Sequence, residues 1–378
     1  MRQSVLDFTE ASALAAKVDE QFRPAWNCRT QAEQAALALY FLPHGSAKPW
    51  LAPTRPRVIK WYCPFACQSE FPSGHRYCIN VYTGCAHQCE YCYAISYEPG
   101  TCSHKKRFEQ MIQRDLEDIE GFDVPPAPVH LSNSTDPFQP LEAVHHHTRY
   151  ALEQILAHRG RFTTVTILTK NPLLAAQPEY LDLLRNLASV PSNHPRHEDF
   201  SKRGAPGCCV EVSLAFWREE ARAAYDVNAP TIEHRKEGIR ALQRAGISVV
   251  LRIDPLFPRS PLRNGPRRSL SDFGLREAQT ADDLHALVSF AKEVGARHVV
   301  YSPAKIVQPR GRRLSETMQA MRAVYVNLAA PGKLDFHSGS WRLPHEVARA
   351  EITEPFLEIC RSLGVKAKYC KQNVIETP

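Results

Sequence analysis

A chain of 378 residues with 43% hydrophobic and 23% charged residues has the composition of a soluble globular protein and the length to bury a full core without disulfide staples. No apolar run approaches the ~18 residues a membrane helix requires, and the acids mixed into the N-terminal stretch argue against a secretory signal, so a cytoplasmic location without a membrane partner is expected. The net charge of +7 suits a nucleic acid or another anionic partner without specifying one.

Residues 1 to about 60 carry one expected helix, Gln31 to Phe41, and then a proline-rich run that reads as a linker or wrapping arm. From Ile79 onward short β-branched runs alternate with amphipathic helical patterns, as in repeated βα units around a parallel sheet. Strands are expected at 79–84, 128–133, 163–169, 209–215, 248–254 and 298–303, and helices at 107–119, 141–159, 179–188, 231–245 and 281–294. Gly246 and Gly295 stand where the last two helices need a left-handed C-cap. Two long polar segments, 189–207 and 257–274, interrupt the alternation, and the tail from Gly311 reads as mixed helix and coil.

Twelve cysteines in a reducing compartment point to metal or catalysis more than to disulfides, and seven of them fall between Cys63 and Cys102. The sharpest group is GCAHQCEYCY, in which Cys85, Cys89 and Cys92 are spaced C-x3-C-x2-C directly after an expected strand. Closely spaced thiolates are the ligands of iron–sulfur clusters, and three thiolates on a four-iron cube leave one iron open to an outside ligand. Zinc competes for such thiols, but structural zinc takes four ligands, and the fourth would have to be His87 or a distant residue.

At these residues the sequence resembles the radical S-adenosylmethionine (SAM) superfamily, whose motif C-x3-C-x-aromatic-C has Tyr91 at its aromatic position. The resemblance implies a [4Fe–4S] cluster held by Cys85, Cys89 and Cys92, with SAM chelated to the open iron and Tyr91 beside the adenine. It implies reductive cleavage of SAM to a 5′-deoxyadenosyl radical that abstracts hydrogen from substrate, and an external electron donor of flavodoxin or ferredoxin type. It also implies an α/β fold, a partial (β/α)6 TIM-type barrel, here residues 77–310, with extensions at 1–76 and 311–378.

More narrowly, from roughly Tyr77 to Lys305 the sequence is similar to the branch that contains spore photoproduct lyase. The similar pieces are STDPFQP (134–140), LTKN (168–171), EVSLA (211–215) and LRIDPLFP (251–258), all near strand C-terminal ends, where barrel active sites are built. By that similarity Lys170 and Ser213 hold polar groups of SAM, and Asp136 and Arg252 are further candidates for the same pocket. The match departs in one respect. Spore photoproduct lyase carries a hydrogen-donating cysteine in the segment after its second strand, and SNSTDPFQPLE has none, which argues against repair of the thymine photoproduct.

Cys63, Cys67 and Cys78 lie outside that motif and form a candidate second site for an auxiliary iron–sulfur cluster or zinc, with Cys370 or Cys102 as fourth ligand; the alternative is small buried apolar groups. His145, His146 and His147 point about 100° apart on a helix and cannot meet on one ion unless it unwinds, so they are expected at the surface or as caps. Trp341 is expected in the core, with base stacking as the alternative.

Two acid-free runs follow the last two expected strands, one with Arg259, Arg263, Arg267 and Arg268, the other with Lys305, Arg310, Arg312 and Arg313. On a parallel barrel both lie on the cluster's face, so an anionic substrate, favoured as nucleic acid or nucleotide, is expected at a basic mouth. The rival readings are radical SAM modification of a small molecule or peptide, and a non-enzymatic zinc-binding interaction module.

Overall fold

The structure is a computed structural model that describes residues 57–60, 77–97, 100–121, 126–190, 192, 207–263, 269–329, 334–337 and 339–370. The expected helix at Gln31 to Phe41, the cysteines Cys63 and Cys67, the arginines Arg267 and Arg268, and most of 189–207 lie outside the described residues.

In chain order the strands are β1 (Ile59–Lys60), β2 (Tyr77–Ile79), β3 (Tyr82–Thr83), β4 (Ser103–His104), β5 (Ala127–Leu131), β6 (Phe162–Thr169), β7 (Cys208–Ser213), β8 (Ser248–Leu256), β9 (Val299–Pro303), β10 (Ile306–Val307), β11 (Asp335–His337), β12 (Ser340–Arg342) and β13 (Ala367–Tyr369). The helices that cover them are α1 (Phe108–Gly121), α2 (Glu142–His145), α3 (His147–Ala157), α4 (Pro172–Ala175), α5 (Pro178–Ala188), α6 (Glu219–Tyr225), α7 (Ile232–Arg244), α8 (Ala281–Glu293) and α9 (Glu316–Ala329). Among the described residues none is long and apolar enough to cross a membrane.

The main sheet has eight strands in the order β1-β2-β5-β6-β7-β8-β9-β13, every pair parallel except the antiparallel β1–β2. The six expected strands are its centre, β2 and β5 to β9, and the helices between them give the expected α/β partial barrel. Parallel strands are covered by crossover helices, which is why Val165, Ile167, Val210, Val212, Leu251 and Ile253 are all fully buried. Between β1 and β13 no ladder closes the sheet among the described residues. Capping follows the sequence: Thr280 and Asp283 form a reciprocal box at the start of α8, and Gly246 and Gly295 take φ of +77° and +66° just beyond α7 and α8.

Three expectations are corrected. The strand expected at 79–84 is split, because the chain leaves the main sheet after Ile79 and pairs Tyr82–Thr83 with β4 instead, lifting the cysteine segment onto the end of the barrel. The helix expected at 141–159 breaks at His146, whose φ of +49° is left-handed. That break is the unwinding the three histidines needed to change direction. His147 turns inward, stacking on Phe108 at 4.2 Å and Tyr82 at 5.4 Å, so it is buried instead of superficial. The tail expected as helix and coil also carries strands: β11 and β12 form a small sheet with β10, and β13 extends the main sheet beside β9, Tyr369 opposite Tyr301.

Candidate active site

The cysteine segment runs from Gly84 to Cys92 across the C-terminal end of the parallel strands. Gly84 has φ of +68°, and a Cβ there would stand 2.3 Å from the Thr101 carbonyl oxygen, so only glycine fits where the loop begins. The segment STDPFQP anchors the residues next to it. Gln139 accepts from the Ala86 N–H at 2.9 Å, and its amide donates to the Gly84 carbonyl at 3.3 Å. The buried Asp136 carboxylate meets His87 Nε2 at 3.0 Å and accepts from Phe138 N–H at 2.8 Å, the Thr169 hydroxyl at 2.7 Å and Lys170 N–H at 2.6 Å. These donors, His87 above all, keep its carboxyl below the usual carboxylate range although burial opposes the charge. Asp136 therefore clamps the cysteine loop to the ends of β5 and β6.

Cys89 is buried, while Cys85 and Cys92 are partly exposed. Burial pushes the Cys85 thiol up to about 12 and raises Cys89 and Cys92, each also feeling the charge of the other thiols or of Asp136 and Asp226. Three thiols that would repel one another as bare thiolates fit a cationic iron–sulfur cluster, because metal charge is what holds buried sulfur deprotonated. Among the described residues no group of three or more His, Cys, Asp and Glu is arranged to hold a single metal ion. A cuboidal cluster sets its ligands wider apart than one ion does.

Beside the loop lies a buried polar knot. The Lys170 ammonium, at the end of β6, donates to the Tyr91 hydroxyl at 2.8 Å and to the Ser213 hydroxyl at 2.8 Å, and pairs with Asp226 at 3.2 Å. Tyr91 donates to Asp226, and Arg235 on α7 donates to the other oxygen of the same carboxylate at 2.8 Å and to the Ser213 carbonyl at 3.1 Å. Burial works against the charge on Asp226, yet Lys170 and Arg235 hold its carboxyl well below the usual range. The Tyr91 ring sits 6.1 Å from Phe216 and 5.9 Å from Phe257. Two backbone bonds, Glu90 N–H to Tyr225 carbonyl at 2.9 Å and Asn228 N–H to His87 carbonyl at 3.0 Å, fasten the cysteine loop to the turn that carries Asp226.

Structure thus brings Cys85, Cys89, Cys92, Tyr91, Asp136, Lys170 and Ser213 to one end of the barrel. Arg252 is the register partner of Ser213, but its guanidinium turns aside to Glu211 at 2.6 Å, Asp254 at 2.7 Å and the Cys370 sulfur at 3.0 Å. Cys370 is therefore part of this second polar group at the end of β13, and Cys78 accepts from Asn133 at 3.0 Å. Of the arginines proposed for substrate, Arg263, Arg310 and Arg312 are exposed, and Arg259 is partly buried with Arg263 and Glu277 in its field.

Sequence reasoning missed Asp226, Arg235 and Gln139, and it weighed His87 only as a zinc ligand, where the structure pairs it with Asp136. Arg235 had a signal: it stands in the apolar stripe Ile232, Ile239 and Leu242 of α7, all buried, and a buried guanidinium requires a counter-charge. Asp226, in a loop 135 residues from Tyr91, had none.

No family model matches the chain. It is 28% identical over 197 residues to an uncharacterized protein of Mycobacterium tuberculosis, covering 48% of this chain and 50% of the relative. It is 24% identical over 187 residues to an uncharacterized protein of Methanocaldococcus jannaschii, covering 49% and 62%. The matches therefore span about half the length of the mycobacterial relative. Among solved structures, a single-residue variant of spore photoproduct lyase superposes with a TM-score of 0.53 at 12% identity over 85% of this chain and 81% of that one. A second variant, with dinucleoside spore photoproduct, gives 0.51 at 12% over 90% and 94%. The chain shares its fold with spore photoproduct lyase.

Proposed function

We propose that this chain is a radical SAM enzyme acting on an anionic substrate, favoured as a nucleic acid or nucleotide. Cys85, Cys89 and Cys92 would hold a [4Fe–4S] cluster, and Lys170, Ser213 and Tyr91 would line the SAM site. When bound, this pair supplies a 5′-deoxyadenosyl radical able to abstract hydrogen. The observation that carries the reading is the Lys170 ammonium, fixed at 2.8 Å from both Tyr91, inside the cysteine motif, and Ser213, at the end of the neighbouring strand β7.

The residues around it do the positioning. Asp226 and Arg235 hold Tyr91 and Lys170 in place, and Asp136 and Gln139 set the loop that presents the thiols. The aromatic wall of Phe216, Tyr225 and Phe257, all buried, keeps water from this side of the pocket. The exposed Arg263, Arg310 and Arg312 support an anionic substrate, as does the dinucleoside ligand of the lyase with the same fold.

Anaerobic reconstitution with iron and sulfide, followed by dithionite and SAM, tests the reading: the wild type should release 5′-deoxyadenosine and Cys89→Ala should release none. Iron-loaded wild type that forms no 5′-deoxyadenosine, or purified protein with zinc in place of iron and sulfide, would overturn it.

A further inference from the structure

The small sheet of β10, β12 and β11 sets an exposed phenylalanine on a tryptophan that is partly buried against the core. Phe336 and Trp341 are direct cross-strand partners, their rings 4.9 Å apart at 49°, and Phe336 is 57% exposed. The guanidinium of Arg322, exposed on α9, lies 4.4 Å from the centre of the Trp341 ring. A tryptophan packed between an arginine and an exposed phenylalanine is a layered surface open at one end.

Its position ties it to the active site. The helical turn Tyr93–Ser96 directly follows Cys92, and the small sheet packs on that turn: the Arg310 N–H donates to the Ile95 carbonyl at 3.1 Å, and a Cβ on Gly339 would lie 3.8 Å from the Ser96 Cβ. The exposed aromatic side chains among the described residues are Tyr93 (37%), Tyr97 (45%) and Phe336 (57%), and all three stand on this turn, at its end, or on the sheet packed against it. Phe336 stands on β11 one residue before His337, which pairs with Ser340 across the turn that carries Gly339.

Charge around the platform favours an anion. Arg310, Arg312 and Arg313, between β10 and α9, and Arg322 on α9 are exposed, and the acid of β11, Asp335, stands in register with Arg342. Aromatic rings stack on bases whose faces are free, and arginines beside them take the phosphates, a combination that selects single strands because duplex bases are already stacked.

Resting on the nucleic-acid reading above, we propose that Phe336, Trp341 and Arg322 form a stacking platform for an unpaired base of a single-stranded nucleic acid, holding the strand beside the entrance to the cluster site. The platform would bind a base next to the reacting one, so its contribution is to affinity for single strands.

Fluorescence anisotropy of a short labelled single-stranded oligodeoxynucleotide, titrated with cluster-loaded protein at several salt concentrations, tests it. Phe336→Ala, at an exposed position that leaves the fold intact by circular dichroism, should weaken binding about tenfold with an unchanged salt slope, because stacking is not ionic. Phe336→Trp should restore it. Arg310→Gln with Arg312→Gln should instead flatten the salt dependence. Equal affinity of wild type and Phe336→Ala overturns the platform and leaves the nucleic-acid reading standing. Failure of the wild type to bind any oligonucleotide overturns both, while 5′-deoxyadenosine formation reports separately on the radical SAM reading.

Discussion

Asp226 and Arg235 meet at 2.8 Å with side chains 0% and 1% exposed, and the same carboxylate takes Lys170 at 3.2 Å and the Tyr91 hydroxyl. One buried anion therefore fixes two cations and the aromatic residue of the cysteine motif. Asp226→Asn leaves Lys170 and Arg235 as uncompensated buried charges, so a loss of about 3–5 kcal/mol in urea unfolding is expected. Asp226→Asn with Arg235→Met removes both ends of that pair and should recover the part of the loss that Arg235 causes, with Lys170 still lacking its carboxylate. A single variant as stable as wild type would show that the ion pair contributes nothing.

Gly84 tests the loop that presents the thiols. Since an added Cβ would stand 2.3 Å from a backbone oxygen and φ is +68°, Gly84→Ala must push the loop away from residues 101–102. The barrel lies below and is untouched, so circular dichroism should keep its wild-type shape while iron retained after reconstitution falls several-fold. Full iron content in the variant would mean that the loop tolerates displacement.

The parts of this arrangement legible in the sequence are those carried by period and spacing. Alternating runs place β6 to β9 within a residue or two, because the helix-covered side of these strands, Val165 and Ile167 on β6 and Val210 and Val212 on β7, is buried at every second residue. Lys170 and Ser213 come instead from the similarity of LTKN and EVSLA to the spore photoproduct lyase branch, and the fold sets their side chains 2.8 Å apart. The left-handed His146 has no local mark, since a non-glycine residue there is strained by itself and is held by the packing of His147 on Phe108. Arg252 comes from the similar piece LRIDPLFP, but it lies in the middle of β8 and its direction is set by Glu211 and Asp254, which pairing alone does not reveal. The clamp by Asp136 depends on contacts from three segments that only the fold brings together.

Lys170→Met keeps length and apolar volume while removing the ammonium that touches Tyr91 and Ser213. If that ammonium binds SAM, affinity measured by calorimetry on the cluster-loaded protein should fall tenfold or more, as expected for a lost charge-assisted hydrogen bond. Iron and sulfide content should stay near the wild-type level, because the loop's anchors at Gln139 and the backbone N–H that residue 170 gives Asp136 survive the side-chain change. Unchanged SAM affinity would remove Lys170 from the cofactor site.

Glu211 gives the acid limb of stability a testable shape. Burial disfavours its charge, but Arg252 at 2.6 Å and the nearby His130 bring its carboxyl from 4.5 to about 2. A folded-state value below the unfolded one contributes stability that is full above the unfolded value and is lost as pH falls through the folded one, so the loss runs from about 4.5 down to about 2. Its size is roughly 3 kcal/mol at most. Asp226 is depressed as well and adds to the same limb, so wild type alone does not isolate Glu211. Glu211→Gln does, because it removes one titration and leaves Arg252 paired with Asp254 at 2.7 Å. Urea midpoints measured across that pH range should fall less steeply for Glu211→Gln than for wild type, and parallel curves would show that the Glu211–Arg252 pair does not carry the acid sensitivity.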